Sequence, residues 1–228
     1  MENPRPSLTR RGRGTRWNLG AAMSLFPMFL KLEDHDCLVV GAGAISEPKI
    51  RSLLVAGAKV RVIALEARPA VAEWARLGVI TWEARRFQGK DVDGAFLVVA
   101  ATSLTEVNQA VFQEAKSRGI LCNAVDDPER CDFYYGSLVR RGDLQVAIST
   151  AGQSPALAQR LRHDIEARIS PEYAGWLDRL GKIRRRMMAA HLPVERRRRL
   201  LHRLATERAF QARRATRLRQ GANAGVAR

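Results

Sequence analysis

"CLVVGAGAISEPKI", residues 37–50, joins a short apolar run to two glycines one residue apart and then to a segment that can form a helix. A dinucleotide-binding turn needs glycine for two separate reasons: the chain must leave the first strand sharply, and its backbone must approach a pyrophosphate with no Cβ in the way. Gly41 and Gly43 can supply both. The usual G-x-G-x-x-G pattern has a third glycine for close packing of helix on strand. Ser46 stands there instead and adds only Cβ and Oγ, a change the packing is expected to tolerate.

A lone G-x-G is a weak signal, since an ordinary strand-to-helix turn can carry it, so the surroundings decide. The next apolar run, 59–65 (KVRVIAL), ends at Leu65 and Glu66, about 20 residues beyond the turn, where a carboxylate would meet a ribose 2′-hydroxyl. That position favours NAD over NADP. A second crevice element is expected at 100–102 (AAT), where a strand ends in small residues and Thr102 would face the cofactor.

Further out, apolar runs at 79–83, 95–101, 120–125 and 144–149 join those at 37–41 and 59–65, with helical segments near 45–56, 69–77 and 105–118. Continuous apolar strands alternating with helices predict an α/β fold, a Rossmann-like doubly wound parallel sheet covered on both faces, with 144–149 as a sixth strand. From Ser154 the pattern is helical: Ser154 suits an N-cap, Pro155 the first helical position, and Leu157, Leu161 and Ile165 recur four apart. Apolar residues at helical spacing continue through Trp176, Leu177, Leu180, Ile183 and Met187.

The 228-residue chain has a formal charge of +16, and its location matters more than its total. Residues 1–22 carry +4, residues 181–228 carry +13, and residues 23–180 sum to −1. The neutral body and basic ends divide the chain into a disordered basic arm (1–22), an NAD-binding Rossmann domain (23–150) and a helical region with an Arg-rich extension (151–228). Met23 opens "MSLFPMFLKL" and is read as the translation start. As solvated extensions, 1–22 and 200–228 are expected to be dispensable.

Cys37, Cys122 and Cys131 have no CxxC spacing, and no apolar run reaches the roughly 18–20 residues that span a bilayer. The expectation is a cytoplasmic protein with reduced thiols and no membrane partner. His35, His163, His191 and His202 are scattered, so no protein metal site is expected.

"FPMFLKLEDHDCLVVGAGAISEPKI", "FLVVAATSLTEVNQAV", "ILCNAVDDPERCDFYYGSLV" and "LQVAISTAGQSPALAQRLR" together closely resemble the precorrin-2 dehydrogenase and sirohydrochlorin ferrochelatase family, the N-terminal module of sirohaem synthases. The similarity runs from about Leu25 to Trp176 in order. It implies NAD⁺-dependent oxidation of precorrin-2 to sirohydrochlorin, in some members followed by Fe²⁺ insertion to give sirohaem, on a Rossmann domain followed by a helical dimerisation region. Carried over residue by residue, it assigns cofactor contacts to Gly41, Gly43, Ala44, Ile45, Leu65 and Glu66, and the catalytic aspartate to Asp126. It also assigns substrate contacts to Ser149, Thr150 and Ser154. Members more often show a third glycine before the residue matching Ala44 and an alanine matching Ser46; here Ala42 lies inside the glycine pair and Ser46 follows it.

Dehydrogenation releases a proton and metal insertion removes two, so either step gains from a base beside the macrocycle. The residues alone do not separate Asp126 from Asp127, since "DDPER" is also a good turn; the resemblance selects Asp126. A tetrapyrrole with eight carboxylates would favour cations near the cleft, with Arg140, Arg141, Arg160 and Arg162 as candidates. The competing classes are a non-catalytic NAD sensor and a nucleic-acid binder using "ERRRRLLHRLATERAFQARRATRLR". Against nucleic acid stand the neutral body and a tail with few aromatics.

Overall fold

A computed structural model describes residues 25–212 and, ahead of them, two short strands that pair antiparallel, β1 (Ser7–Thr9) and β2 (Arg16–Asn18). The rest of the expected basic arm, Met23, and the C-terminal extension past 212 lie outside the described residues. The chain divides into two compact units, Met1–Tyr134 and Tyr135–Arg228.

The first unit contains β3 (Asp36–Val40), α1 (Ser46–Val55), β4 (Lys59–Ile63), α2 (Pro69–Arg76), β5 (Thr81–Glu83), β6 (Leu97–Ala100), α3 (Thr105–Ser117) and β7 (Leu121–Ala124). All five strands are parallel, in the order β5-β4-β3-β6-β7. The chain winds outward from β3 to β5, then returns to the other side of β3 with β6 and β7. Order therefore reverses between β3 and β6, and the crevice at their C-terminal ends is where this sheet type takes ligands.

Both faces of the sheet are covered. Cys37 and Val39 pack with Ile50 and Leu53 of α1 and Val71 of α2, while Leu38 and Val40 pack with Val111, Phe112 and Ala115 of α3. The alternation of side chains along a strand sends successive residues to opposite faces, and both faces are apolar because helices cover both. This is why the central runs read as continuously hydrophobic.

The sixth apolar run is not part of this sheet. β9 (Leu144–Ile148) pairs antiparallel with β8 (Ser137–Arg141), Arg141 opposite Leu144, in a hairpin of the second unit. The reason is the two-residue loop Gly142–Asp143, with Gly142 at φ +60°. So short a loop can join only antiparallel strands, and the positive φ suits the turns that match strand twist.

The second unit continues with α4 (Pro155–Arg168), α5 (Glu172–Ala189) and α6 (Val194–Leu204). Ser154 caps α4 as expected, its Oγ accepting from Leu157 N at 3.2 Å, with Pro155 in the first turn. Part of the segment from residue 200, expected to be a solvated extension, packs against α5. Phe210 is 5% exposed, with Tyr173 and Trp176 ring centroids 4.2 and 6.1 Å away, and Tyr173 OH donates to Glu207 at 2.7 Å.

Candidate functional site

At the C-terminal edge of the parallel sheet, the turn after β3 is shaped by its two glycines in different ways. Gly41 has φ +106°, and a Cβ there would stand 2.4 Å from the Ala101 carbonyl oxygen, so the close passage of this turn by the end of β6 requires glycine. Gly43 has nothing within 4 Å of an added Cβ. The space beside it is open to a ligand, and the first turn of α1 starts there, with Glu47 N bonded to Gly43 O at 3.1 Å. Free N–H groups and the helix dipole make this end of α1 suited to an anion.

Ser46 is fully buried, and its Oγ donates to Ala101 O at 3.1 Å. The hydroxyl is thus more than a tolerated substitute for glycine, because it fastens α1 to β6. The turn is tied on its other side too: Arg68 N donates to Ala42 O at 3.1 Å, and Arg68 Nε to Glu47 Oε2 at 3.1 Å.

A cavity of about 720 Å³ opens beside this turn. Gly41, Gly43, Ala44, Ile45, Leu65, Glu66 and Thr102, the seven expected cofactor contacts, all line it. Ile45, Leu65 and Leu104 each leave half or more of their surface to solvent, and all three belong to its wall. Exposed aliphatic groups around an opening, with a few polar atoms among them, suit flat heteroaromatic rings. The open cradle at Gly43 and this apolar wall fit a dinucleotide.

Two features of this edge escaped sequence reasoning, one behind the wall and one in it. Asn108 of α3 brackets Thr102: its Oδ1 accepts from Thr102 N at 3.1 Å and Thr102 Oγ1 at 2.8 Å, and its Nδ2 donates to Thr102 O at 3.0 Å. The short loop after β5 contributes Arg85, Arg86 and Phe87. The signal in the sequence was their place two to four residues past the third apolar run, 79–83, as Glu66 stands just past the second.

Asp126 lies in the turn that follows β7, on the same edge of the sheet, but is not part of the cavity wall. It is exposed and has φ +62°, a conformation aspartate tolerates better than most residues. The turn is closed by Asp127 N donating to Ala124 O at 3.2 Å and by the Cys131 thiol, which donates to Ala124 O at 3.1 Å. Asp127, by contrast, is paired with Arg130 at the start of the turn Pro128–Arg130. Of the two carboxylates, Asp127 is engaged locally and Asp126 faces solvent. Lys49 of α1 sits in the field of Asp126: burial pushes its ammonium below the usual range, opposed by the charges of Asp126 and Cys131.

Ser149, Thr150 and Ser154 belong to the second unit, in the loop before α4. Ser149 Oγ accepts from Ala151 N at 3.1 Å and Thr150 Oγ1 from Ser154 N at 3.3 Å, so all three hydroxyls shape the loop, with Ala151 and Gly152 at φ +50° and +80°. Arg141 is not free to anchor a ligand: its Nε donates to Ile169 O at 2.8 Å, its Nη2 to Glu166 O at 3.0 Å, and its Nη1 to Glu166 Oε1 at 3.2 Å. It serves the C-terminal carbonyls of α4. Among the described residues no three His, Cys, Asp or Glu side chains converge, and no helix is long and apolar enough to cross a membrane.

Comparison with known proteins agrees with this geometry. A family model described as putative NAD(P)-binding matches residues 28–137, and one described as sirohaem biosynthesis protein central matches residues 141–168. The chain is 41% identical over 177 residues to siroheme synthase 1 of Aeromonas hydrophila, covering 77% of this chain and 38% of that one. It is 40% identical over 169 residues to siroheme synthase 2 of Serratia proteamaculans, covering 74% and 36%. It thus spans less than two-fifths of the length of these relatives. The solved structure of SirC, precorrin-2 dehydrogenase, superposes with a TM-score of 0.71 at 25% identity, covering 81% of this chain and 92% of that one.

Proposed function

Since the chain belongs to the precorrin-2 dehydrogenase and sirohydrochlorin ferrochelatase family, the N-terminal module of sirohaem synthases, we propose that it oxidises precorrin-2 to sirohydrochlorin with NAD⁺. The observation that carries this reading is the cavity at the β3/β6 crevice, walled by Gly41, Gly43, Leu65, Glu66 and Thr102 on the sheet edge that also bears Asp126.

NAD⁺, when bound, supplies the hydride acceptor. Gly43 and the start of α1 hold its pyrophosphate, Glu66 accepts from the adenosine ribose, and Ile45, Leu65 and Leu104 cover its rings against water. Asp126 takes the proton that the macrocycle loses as the hydride leaves. The carboxylate is exposed at a strand end, so a large substrate can reach it without rearrangement of the core. Lys49 places a cation in its field.

We further propose that the same base serves Fe²⁺ insertion, accepting pyrrole protons while the tetrapyrrole nitrogens ligate the metal. Ser149, Thr150 and Ser154 are proposed substrate contacts. The protein is proposed to act in the cytoplasm as a homodimer through roughly residues 150–190. In support, α4 buries only Ala158 and α5 buries no residue despite carrying Trp176, Leu177, Leu180, Ile183 and Met187. On this reading the arginines of α6 form a solvated face rather than a nucleic-acid surface.

The test is to incubate the purified protein with precorrin-2 and NAD⁺, then add Fe²⁺, following absorbance at each stage. Appearance of sirohydrochlorin only when NAD⁺ is present is expected. A metal-induced change with no prior NAD⁺-dependent step would reassign the protein as a chelatase alone, and sedimentation as a monomer at micromolar concentration would remove the dimer.

A further inference from the structure

We propose that Arg86 lets the cavity accept a 2′-phosphate on the adenosine ribose, so that the protein binds NADP⁺ as well as NAD⁺. The proposal deepens the cofactor reading above and rests on it.

Strands β4 and β5 run parallel in strict register, Arg61 beside Thr81, Val62 beside Trp82 and Ile63 beside Glu83. The two loops that follow are tied together: Ala64 N donates to Glu83 O at 3.3 Å, and Trp82 Nε1 to Ala64 O at 3.0 Å. Glu66 and Arg86 stand equally far past the last paired residues, and both line the cavity. A carboxylate at the position of Glu66 recognises a ribose 2′-hydroxyl and repels a 2′-phosphate, whereas a nearby arginine accommodates that phosphate. Here the cavity wall carries one of each.

The neighbouring arginine shows why Arg86 is the one available. Arg85 is clamped by two carboxylates, its Nη2 2.7 Å from Asp91 Oδ1 and 2.7 Å from Glu83 Oε2, and its Nη1 2.8 Å from Asp91 Oδ2. Asp91 is only 3% exposed, so this pairing is fixed in the core. Arg85 Nη1 also donates to Arg86 O at 3.1 Å, holding the backbone of the next residue. The Arg86 side chain is exposed and, among the described residues, makes no ion pair or hydrogen bond, with Glu66 or any other group. One arginine locks the loop and the next presents a planar fork of donors suited to phosphate.

Calorimetric titration with NAD⁺ and NADP⁺ reads the proposal directly. The unmodified protein is expected to bind NADP⁺ within about tenfold of NAD⁺. In Arg86→Gln the ratio of NADP⁺ to NAD⁺ dissociation constants should rise roughly ten- to hundredfold, the range of a hydrogen bond between charged groups. Arg86→Lys, which keeps the charge and loses the fork, should fall between the two, and Glu66→Gln should move the ratio the other way. A ratio unchanged in Arg86→Gln, or an unmodified protein that binds NAD⁺ but not NADP⁺, overturns the proposal and leaves the NAD⁺ reading standing. Failure to bind either nucleotide overturns both.

Discussion

The Ser46 hydroxyl donates to the Ala101 carbonyl at 3.1 Å, fastening the first turn of α1 to the end of β6 across 55 residues of sequence. Ala101 lines the cavity, and the serine, fully buried, lies behind it. Removing the hydroxyl leaves a carbonyl without its partner. Ser46→Ala should therefore lower the stability of the first unit by about 1–2 kcal/mol, measured by denaturant unfolding, and weaken NAD⁺ binding a few-fold. An unchanged midpoint would show that water replaces the bond.

The two glycines should respond differently to the same substitution. Gly41→Ala drives a methyl group to 2.4 Å from Ala101 O at φ +106° and should impair folding. Gly43→Ala meets nothing within 4 Å and should fold normally, yet lose nucleotide affinity because the methyl occupies the ligand's space. Circular dichroism and nucleotide titration separate the outcomes; equal affinity in Gly43→Ala would move the pyrophosphate elsewhere.

For the proposed catalytic base, Asp126→Asn is a cleaner substitution than alanine, since asparagine tolerates the φ of +62° found there. It should fold, bind NAD⁺ and lose roughly 10²–10⁴-fold in turnover, the usual contribution of a positioned general base. Asp127→Ala removes the partner of Arg130 and should affect stability more than rate. Near-normal turnover in Asp126→Asn, with Asp127→Ala inactive, would exchange the two assignments.

The C-terminal segment has a boundary that truncation can find. A chain ending after Ala212 should keep its stability. One ending after Leu204 loses Phe210 from its contact with Tyr173 and Trp176, and the second unit should be destabilised by roughly 3–5 kcal/mol, as for a buried Phe→Ala change. Thermal melts of the two truncations provide the comparison.

Stability should also decline at alkaline pH through two thiols. Burial pushes Cys37 up to about 11 and Cys122 up to about 12. In the unfolded chain thiols ionise near 8.5, so above that pH the unfolded state binds fewer protons than the folded one. The stability these neutral thiols contribute is complete below about pH 8.5 and is lost as pH rises through their folded-state range. Denaturant midpoints at pH 8 and 10 should differ less in a Cys37→Ala, Cys122→Ala double variant than in the unmodified chain.

Local pattern was enough for the parallel sheet, because each strand buried on both faces announces itself as an unbroken apolar run between helices. It was also enough to bring together the cavity wall near the glycine turn, where Gly41, Gly43 and Glu66 follow strands whose ends are visible in the sequence. The run at 144–149 shows the limit of that signal. Five or six apolar residues look alike in a parallel strand and in a hairpin, and here the deciding feature was the two-residue loop at Gly142–Asp143.

What only the tertiary structure decided are the partners. Arg85 and Arg86 are indistinguishable in sequence, yet a buried carboxylate at Asp91 claims one and leaves the other to the cavity. Arg141 reads as a candidate anchor for substrate carboxylates but holds the end of α4, and Phe210 reads as part of a solvated tail but is buried against α5. Strand and helix periodicity is set by neighbours a few residues away, so sequence carries it. Whether a side chain is engaged or free depends on groups brought near it by the fold, often tens of residues distant, and no local pattern encodes their arrival.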